Sequence, residues 1–139
     1  MEKEVRIVFD IAKKVLGLEK EEILSKSRKT HIVDAKRIVS VILDRHTKLG
    51  PYRIGKMFGI DHSSVCHYKR THQGLIETDY KFRKNFVNME VQFMVNKENL
   101  KIRLKMKLEE RDRLNQEIST IRKRIRVKEK IDKRKKASA

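Results

Sequence analysis

The sequence predicts an all-α protein: a compact helix-turn-helix domain of five to six helices, then a long basic coiled-coil-like helix. Three observations predict it. Apolar residues recur at three- and four-residue spacing along the chain. Two short helical stretches meet at a glycine turn between Pro51 and His72. Residues 96–139 contain no Gly, Pro, Phe or Tyr, which marks a boundary near Asn96. The expected domains are therefore 1–95, compact, and 96–139, a long basic helix with a disordered end.

The first helix is drawn by Val5, Val8, Phe9, Ala12, Val15 and Leu16, which make one apolar stripe. Gly17 stops it. A short acidic turn from Glu19 to Leu24 follows, then a polar, basic loop from Ser25 to Thr30. A second helix is expected from about Ile32 to His46. Ala35, Ile38, Val39, Ile42 and Leu43 form its buried face, with Lys36, Arg37 and Arg45 off that face.

Leu49-Gly50-Pro51 is a break. Proline suits the first turn of a helix, where its missing N–H would have no intrahelical partner. Ile54, Met57 and Phe58 give the next helix a short apolar face, and Gly59 ends it. Asp61 or Ser63 caps the following helix, which turns Val65 and Tyr68 inward and runs to about His72, with Gly74 closing it. A fifth helix starts near Thr78 or Asp79 and carries Tyr80, Phe82, Phe86, Met89 and Phe93 as core or helix-pairing surface.

Beyond Asn96, Leu114, Ile118, Ile121 and Ile125 step by four, three and four, which is coiled-coil spacing. Leu100, Leu104 and Leu108 step by fours, so the seam drifts, and Arg111 and Lys128 fall on seam positions. The helix is expected to pair, as a homodimer through residues 96–139 or by folding back.

The chain has 139 residues and a net charge of +17. Residues 1–95 hold 19 basic and 12 acidic residues, and residues 96–139 hold 17 and 7. Such an excess draws a polyanion, and nucleic acid is the expected one. No apolar run of about 18 residues exists to span a bilayer. The N-terminus lacks a signal-peptide layout, and the single Cys66 cannot make an internal disulfide. A cytoplasmic, nucleoid-associated setting is expected. Cys66, His62 and His67 do not have zinc-site grouping, and Cys66 and His67 project about 100° apart on a helix. No metal, cofactor or catalytic role is expected, and Cys66 reads as a small buried apolar residue.

A helix-turn-helix places its second helix in the major groove, where N-terminal side chains meet base edges. Here those side chains are Asp61, His62 and Ser63. Asp61 can accept from a cytosine amino group, His62 can donate to a purine or pack on a thymine methyl, and Ser63 can bond either way. Asp61 can equally be an N-cap, and the two roles are compatible. Ser64, His67, Lys69 and Arg70 face phosphates.

Asp61-His62-Ser63-Ser64-Val65-Cys66-His67 resembles the Asp-His-Thr-Thr-Val-x-His signature of the DNA-binding domain of the bacterial replication initiator DnaA. Ile23-Leu24-Ser25-Lys26-Ser27-Arg28-Lys29 resembles that family's basic loop, and Ile54 to Gly59 its preceding helix. The resemblance spans roughly residues 5–90. It implies that Arg28 enters the minor groove, that Asp61, His62 and Ser63 read bases, and that Lys29, Lys36, Arg37, Ser64 and His67 contact the backbone. The sequence departs from the family pattern in a turn one residue shorter before Asp61 and in serines for two threonines. Pro51 also sits one place early, which moves the thymine-methyl contact to Pro51 or Tyr52. The family's P-loop, Gly-x-x-x-x-Gly-Lys-Ser/Thr, is absent from the sequence, so no ATP binding is expected. The expected function is sequence-specific duplex DNA binding in replication initiation or transcription control, by a non-enzymatic protein. The alternative is a coiled-coil structural protein that binds nucleic acid without regard to sequence.

Overall fold

The computed structural model describes residues 2–138, and every regular element among them is an α-helix. One compact unit ends at Lys97 and the second begins at Glu98.

In the first unit, α1 (Glu2–Leu16) buries Val8, Phe9, Ile11 and Ala12 along the predicted stripe. The acidic turn is a one-turn helix, α2 (Lys20–Ile23), fixed by a reciprocal box between Glu19 and Glu22. Its Ile23 is fully buried.

α3 (Thr30–His46) is the central helix and packs against α1, α2, α4 and α5. It buries residues on several sides, including Ile32, Ile38, Val41 and Leu43. Lys36 does not lie off the buried face as the pattern predicts. It is buried, and its ammonium donates to the Ser25 carbonyl. The lysine stands four residues after Ile32 and four before Ser40, in one column of a helix surrounded by neighbours. Burial pushes its pKa down. Arg37 is also held inside the fold, as described below.

α4 (Pro51–Phe58) starts on Pro51 and buries Ile54, Gly55 and Phe58. α5 (His62–Thr78) buries Val65 and His72, while Tyr68 is only half-buried. α5 does not close at Gly74 but passes through it for one more turn. A helical glycine costs about 1 kcal/mol relative to alanine. Leu75 and Ile76, just beyond it, pack against the core and offset that cost.

Asp79 ends α5 and starts α6, accepting a hydrogen bond from the Phe82 N–H at 3.1 Å. The expected fifth helix and the long basic helix are one continuous element, α6 (Tyr80–Ser138). Phe82, Phe86, Met89 and Phe93 are buried on one face. Tyr80 is not part of that face; it is 69% exposed, with Arg83 over its ring. Two residues on a helix is about 200°, so Tyr80 points away from the side that Phe82 buries.

In the second unit every described residue is exposed, including Leu114, Ile118, Ile121 and Ile125. The helix continues to Ser138, where the composition predicts a disordered end. No helix among the described residues is long and apolar enough to cross a membrane.

Candidate nucleic-acid interface

The junction of α4 and α5 is built by two glycines. Gly59 ends α4 with φ +67°, a left-handed conformation that side chains disfavour. The Ile60 N–H returns to the Gly55 carbonyl at 2.9 Å. Gly55 is needed for a different reason: a Cβ there would lie 2.7 Å from the Ile60 carbonyl oxygen. The short turn brings the backbone of Ile60 against α4, and only glycine leaves the room.

Asp61 then opens α5 from an extended conformation. Its carboxylate makes no capping bond to the helix backbone. Instead it accepts from the Ser63 hydroxyl at 3.0 Å and from His62 Nδ1 at 2.9 Å. The Ser63 hydrogen bond, then those of His62, hold the Asp61 carboxyl below the usual carboxylate range. The three predicted base readers are thus one hydrogen-bonded cluster, exposed at Asp61 and Ser63 and half-buried at His62.

This arrangement fixes the chemistry of His62. An ionised carboxylate only accepts, so Nδ1 carries the proton and the neutral ring leaves Nε2 as an acceptor. A neutral His62 can therefore accept from a base amino group, and it donates through Nε2 only as imidazolium. The ring also stacks on Tyr52, with centroids 4.2 Å apart and planes 14° apart. Tyr52 is 72% exposed. The sequence places Tyr52 at the start of α4 but gives no sign of this stack, because the two rings meet only once the turn has formed.

Arg28 sits exposed in the loop between α2 and α3. That loop is held by small side chains. The Ser25 hydroxyl donates to the Glu22 carbonyl at 2.6 Å, and Ser25 and Ser27 accept from the N–H groups of Ser27 and Lys29. The Lys36 ammonium grips the same loop at the Ser25 carbonyl from below.

The basic residues of the two helices divide into two groups. Lys29, His67 and Arg70 are exposed, and Ser64 is half-buried. Arg37 is bound inward: it pairs with Asp34 at 3.0 Å, donates to Thr71 Oγ1 at 3.2 Å and lies over the Tyr68 ring. Lys69 pairs with Asp44 at 3.0 Å. Arg37 and Lys69 thus tie α3 to α5. Cys66 is half-buried rather than buried. No group of three or more His, Cys, Asp or Glu among the described residues could hold a metal ion.

The family described as bacterial dnaA protein helix-turn-helix matches residues 5–71, which covers α1 through the exposed start of α5. The match takes in just under half of the chain, the part that carries the helix-turn-helix. Three chromosomal replication initiator proteins named DnaA are similar to this chain. The one from Bacteroides fragilis is 33% identical over 84 residues, which is 60% of this chain and 18% of that protein. The one from Flavobacterium psychrophilum is 35% identical over 83 residues, or 56% and 17%. The one from Nautilia profundicola is 32% identical over 99 residues, or 68% and 23%. The chain therefore spans about a fifth of the length of these DnaA proteins.

Proposed function

We propose that this chain binds double-stranded DNA and reads its sequence. The observation that carries the reading is the exposed Asp61–His62–Ser63 cluster at the start of the second helix of a DnaA-type helix-turn-helix domain. In that position the cluster meets base edges in the major groove. Asp61 offers acceptors, which suits the amino group of cytosine, and His62 leaves Nε2 to the bases, as an acceptor in the neutral ring or a donor in the imidazolium. Arg28 supplies a second contact in the minor groove. Lys29, Ser64, His67 and Arg70 bind phosphates and set position. Lys36 and Arg37 serve from within, by holding the basic loop and α5 in place, and exposed Lys69 pairs with Asp44 across α5 and α3.

The process served is control of replication initiation or transcription, on the analogy of the initiators it resembles. The reading includes neither catalysis nor ATP binding, as the sequence carries no P-loop. Residues 96–139 pair two copies of the chain.

Selection of random duplex oligonucleotides at moderate salt tests the reading. The wild-type chain is expected to enrich one motif. Arg28→Ala and His62→Ala are each expected to relax it at different positions. If no motif emerges and affinity collapses steeply with salt, sequence-blind binding by the basic surface replaces this reading.

A further inference from the structure

Six of the exposed apolar residues of the second unit fall into a single heptad frame. With Leu114 at d and Ile118 at a, Ile121 is d and Ile125 is a. Counted back by whole heptads, Leu100 is d and Leu104 is a; Leu108 at e, Ile102, Met106, Val127 and Ile131 lie off the seam. These six seam residues are between 40% and 60% exposed, and all lie on a continuous helix. Lys107, Arg111, Lys128, Asp132 and Lys135 occupy the remaining seam positions.

The flanking charges distinguish the ways a second copy could cover this seam. In a parallel pair in register, a g residue faces the e residue five places on in its partner. Glu117 at g then faces Arg122 of the second copy, and Arg124 at g faces its Glu129. Each pairing occurs on both sides of the dimer, and all are attractive. Glu110 and Arg103 at g face Asn115 and Leu108, so no like charges oppose between g and e, whereas Lys107, Arg111, Lys128, Asp132 and Lys135 on the seam each face the same residue of the second copy. Glu110 also flanks Arg111 of the second copy, and Lys128 and Asp132 alternate in sign along the seam.

The antiparallel alternatives are poorer. Setting Leu114 against Ile125 and Ile118 against Ile121 sets Lys107 against Asp132 but leaves Leu104 opposite Lys135 and Leu100 without an apolar partner. Setting Leu104 against Ile121 and Leu100 against Ile125 brings Arg103 to Arg124 and Glu110 to Glu117. The parallel register matches all six apolar seam residues with one another, whereas each of these antiparallel registers matches four.

We infer that the second unit is a parallel, in-register two-stranded coiled coil with a second copy of this chain as its partner, specified by Glu117–Arg122 and Arg124–Glu129 pairs between copies. The inference rests on the pairing role given to residues 96–139 and adds its orientation. By chain connectivity, both helix-turn-helix units then join the coiled coil at the same end. Such a dimer carries two DNA-reading units side by side and suits a target with two half-sites.

Thiol crosslinking of the full chain in a Cys66→Ser background tests the orientation without DNA. Leu114→Cys is placed in a glutathione redox buffer. In the parallel pair the two residues 114 face each other within disulfide reach, a Cα separation of about 5.5 to 6 Å. In the best antiparallel pair they are eleven residues apart along the axis, about 16 Å. Crosslinked Leu114→Cys dimer at equilibrium is expected. Crosslinking only in a mixture of Leu114→Cys with Ile125→Cys would overturn the parallel register. Light scattering on the uncrosslinked wild-type chain separates the two failures: a monomer defeats the pairing reading itself, whereas a dimer that crosslinks only in the mixture defeats the orientation alone.

Charge exchange gives a second arm that needs no thiol. Glu117→Arg is expected to weaken the dimer about tenfold, by setting arginine against Arg122 of the second copy. Adding Arg122→Glu is expected to restore it. Failure of the double variant to recover would reject the Glu117–Arg122 pairing.

Discussion

Residues 80–97 and 98–138 belong to one helix, yet they meet their surroundings in opposite ways. In the first stretch Phe82, Phe86, Met89 and Phe93 are nearly inaccessible to solvent. In the second, apolar residues at similar spacing stand in water along the whole length. The same periodicity therefore has two outcomes. Where the chain itself supplies α3 and α5, the stripe becomes core. Where it does not, the stripe stays exposed. Periodicity reports that a face is to be buried, and only the rest of the fold reports by what.

The largest test of this contrast is a matched pair of truncations. Phe86→Ala is expected to cost the first unit about 3–5 kcal/mol, through lost transfer energy and a cavity. Ile121→Ala is expected to change unfolding of the first unit by less than about 0.5 kcal/mol. Urea denaturation followed by aromatic fluorescence measures both. Equal losses would mean that the two stretches share one core.

Acid should also separate the units. His72 is buried against Phe82 and Phe86, with ring centroids 5.7 and 4.2 Å away. Burial, then the nearby Arg45, lowers its pKa from 6.5 to about 4, while Glu90 opposes the shift. The unfolded chain binds the proton first, so the neutral ring's contribution is complete above about pH 6.5. It is lost as pH falls from there to about 4. The full loss is on the order of 3 kcal/mol. Denaturation curves of the first unit across this range should show it, and His72→Leu should flatten that slope. A helix signal from the second unit that tracked the same titration would break the contrast.

A smaller effect is expected at the turn. Gly55→Ala drives a methyl into the Ile60 carbonyl and should cost about 1–3 kcal/mol, with weaker DNA binding. The smallest effect compares lysines. Lys36→Met removes a buried charge bound to a carbonyl and should cost about 1 kcal/mol, whereas exposed Lys105→Met should be near neutral. Thermal melts of the two variants check this.

Much of the fold and site was legible in the sequence because local chemistry decides it. Pro51, Gly59 and Asp61 mark helix ends by their own backbone preferences, and α1 shows its stripe without reference to other elements. The misread residues depend on distant neighbours. Gly74 looks like a stop until Leu75 and Ile76 are seen to pack. Lys36 looks solvated until the Ser25 loop folds over α3. Its column with Ile32 and Ser40 was visible, but a lysine there reads as surface unless all sides of the helix are known to be covered. The pairings of Arg37 and Lys69 were likewise invisible, because Asp34, Thr71 and Asp44 come to them from other turns and another helix. The stack of His62 on Tyr52 spans a turn whose shape no single residue encodes.

The Lys36 contact also makes the basic loop observable from outside. Amine reagents consume exposed lysines quickly, and most lysines of this chain are exposed. Lys36 is 5% exposed and its ammonium is occupied by the Ser25 carbonyl. Reagent can reach it only when the segment bearing Arg28 lifts away. The acylation rate of this one lysine, read by peptide mass, is therefore a clock for how often the Arg28 loop opens.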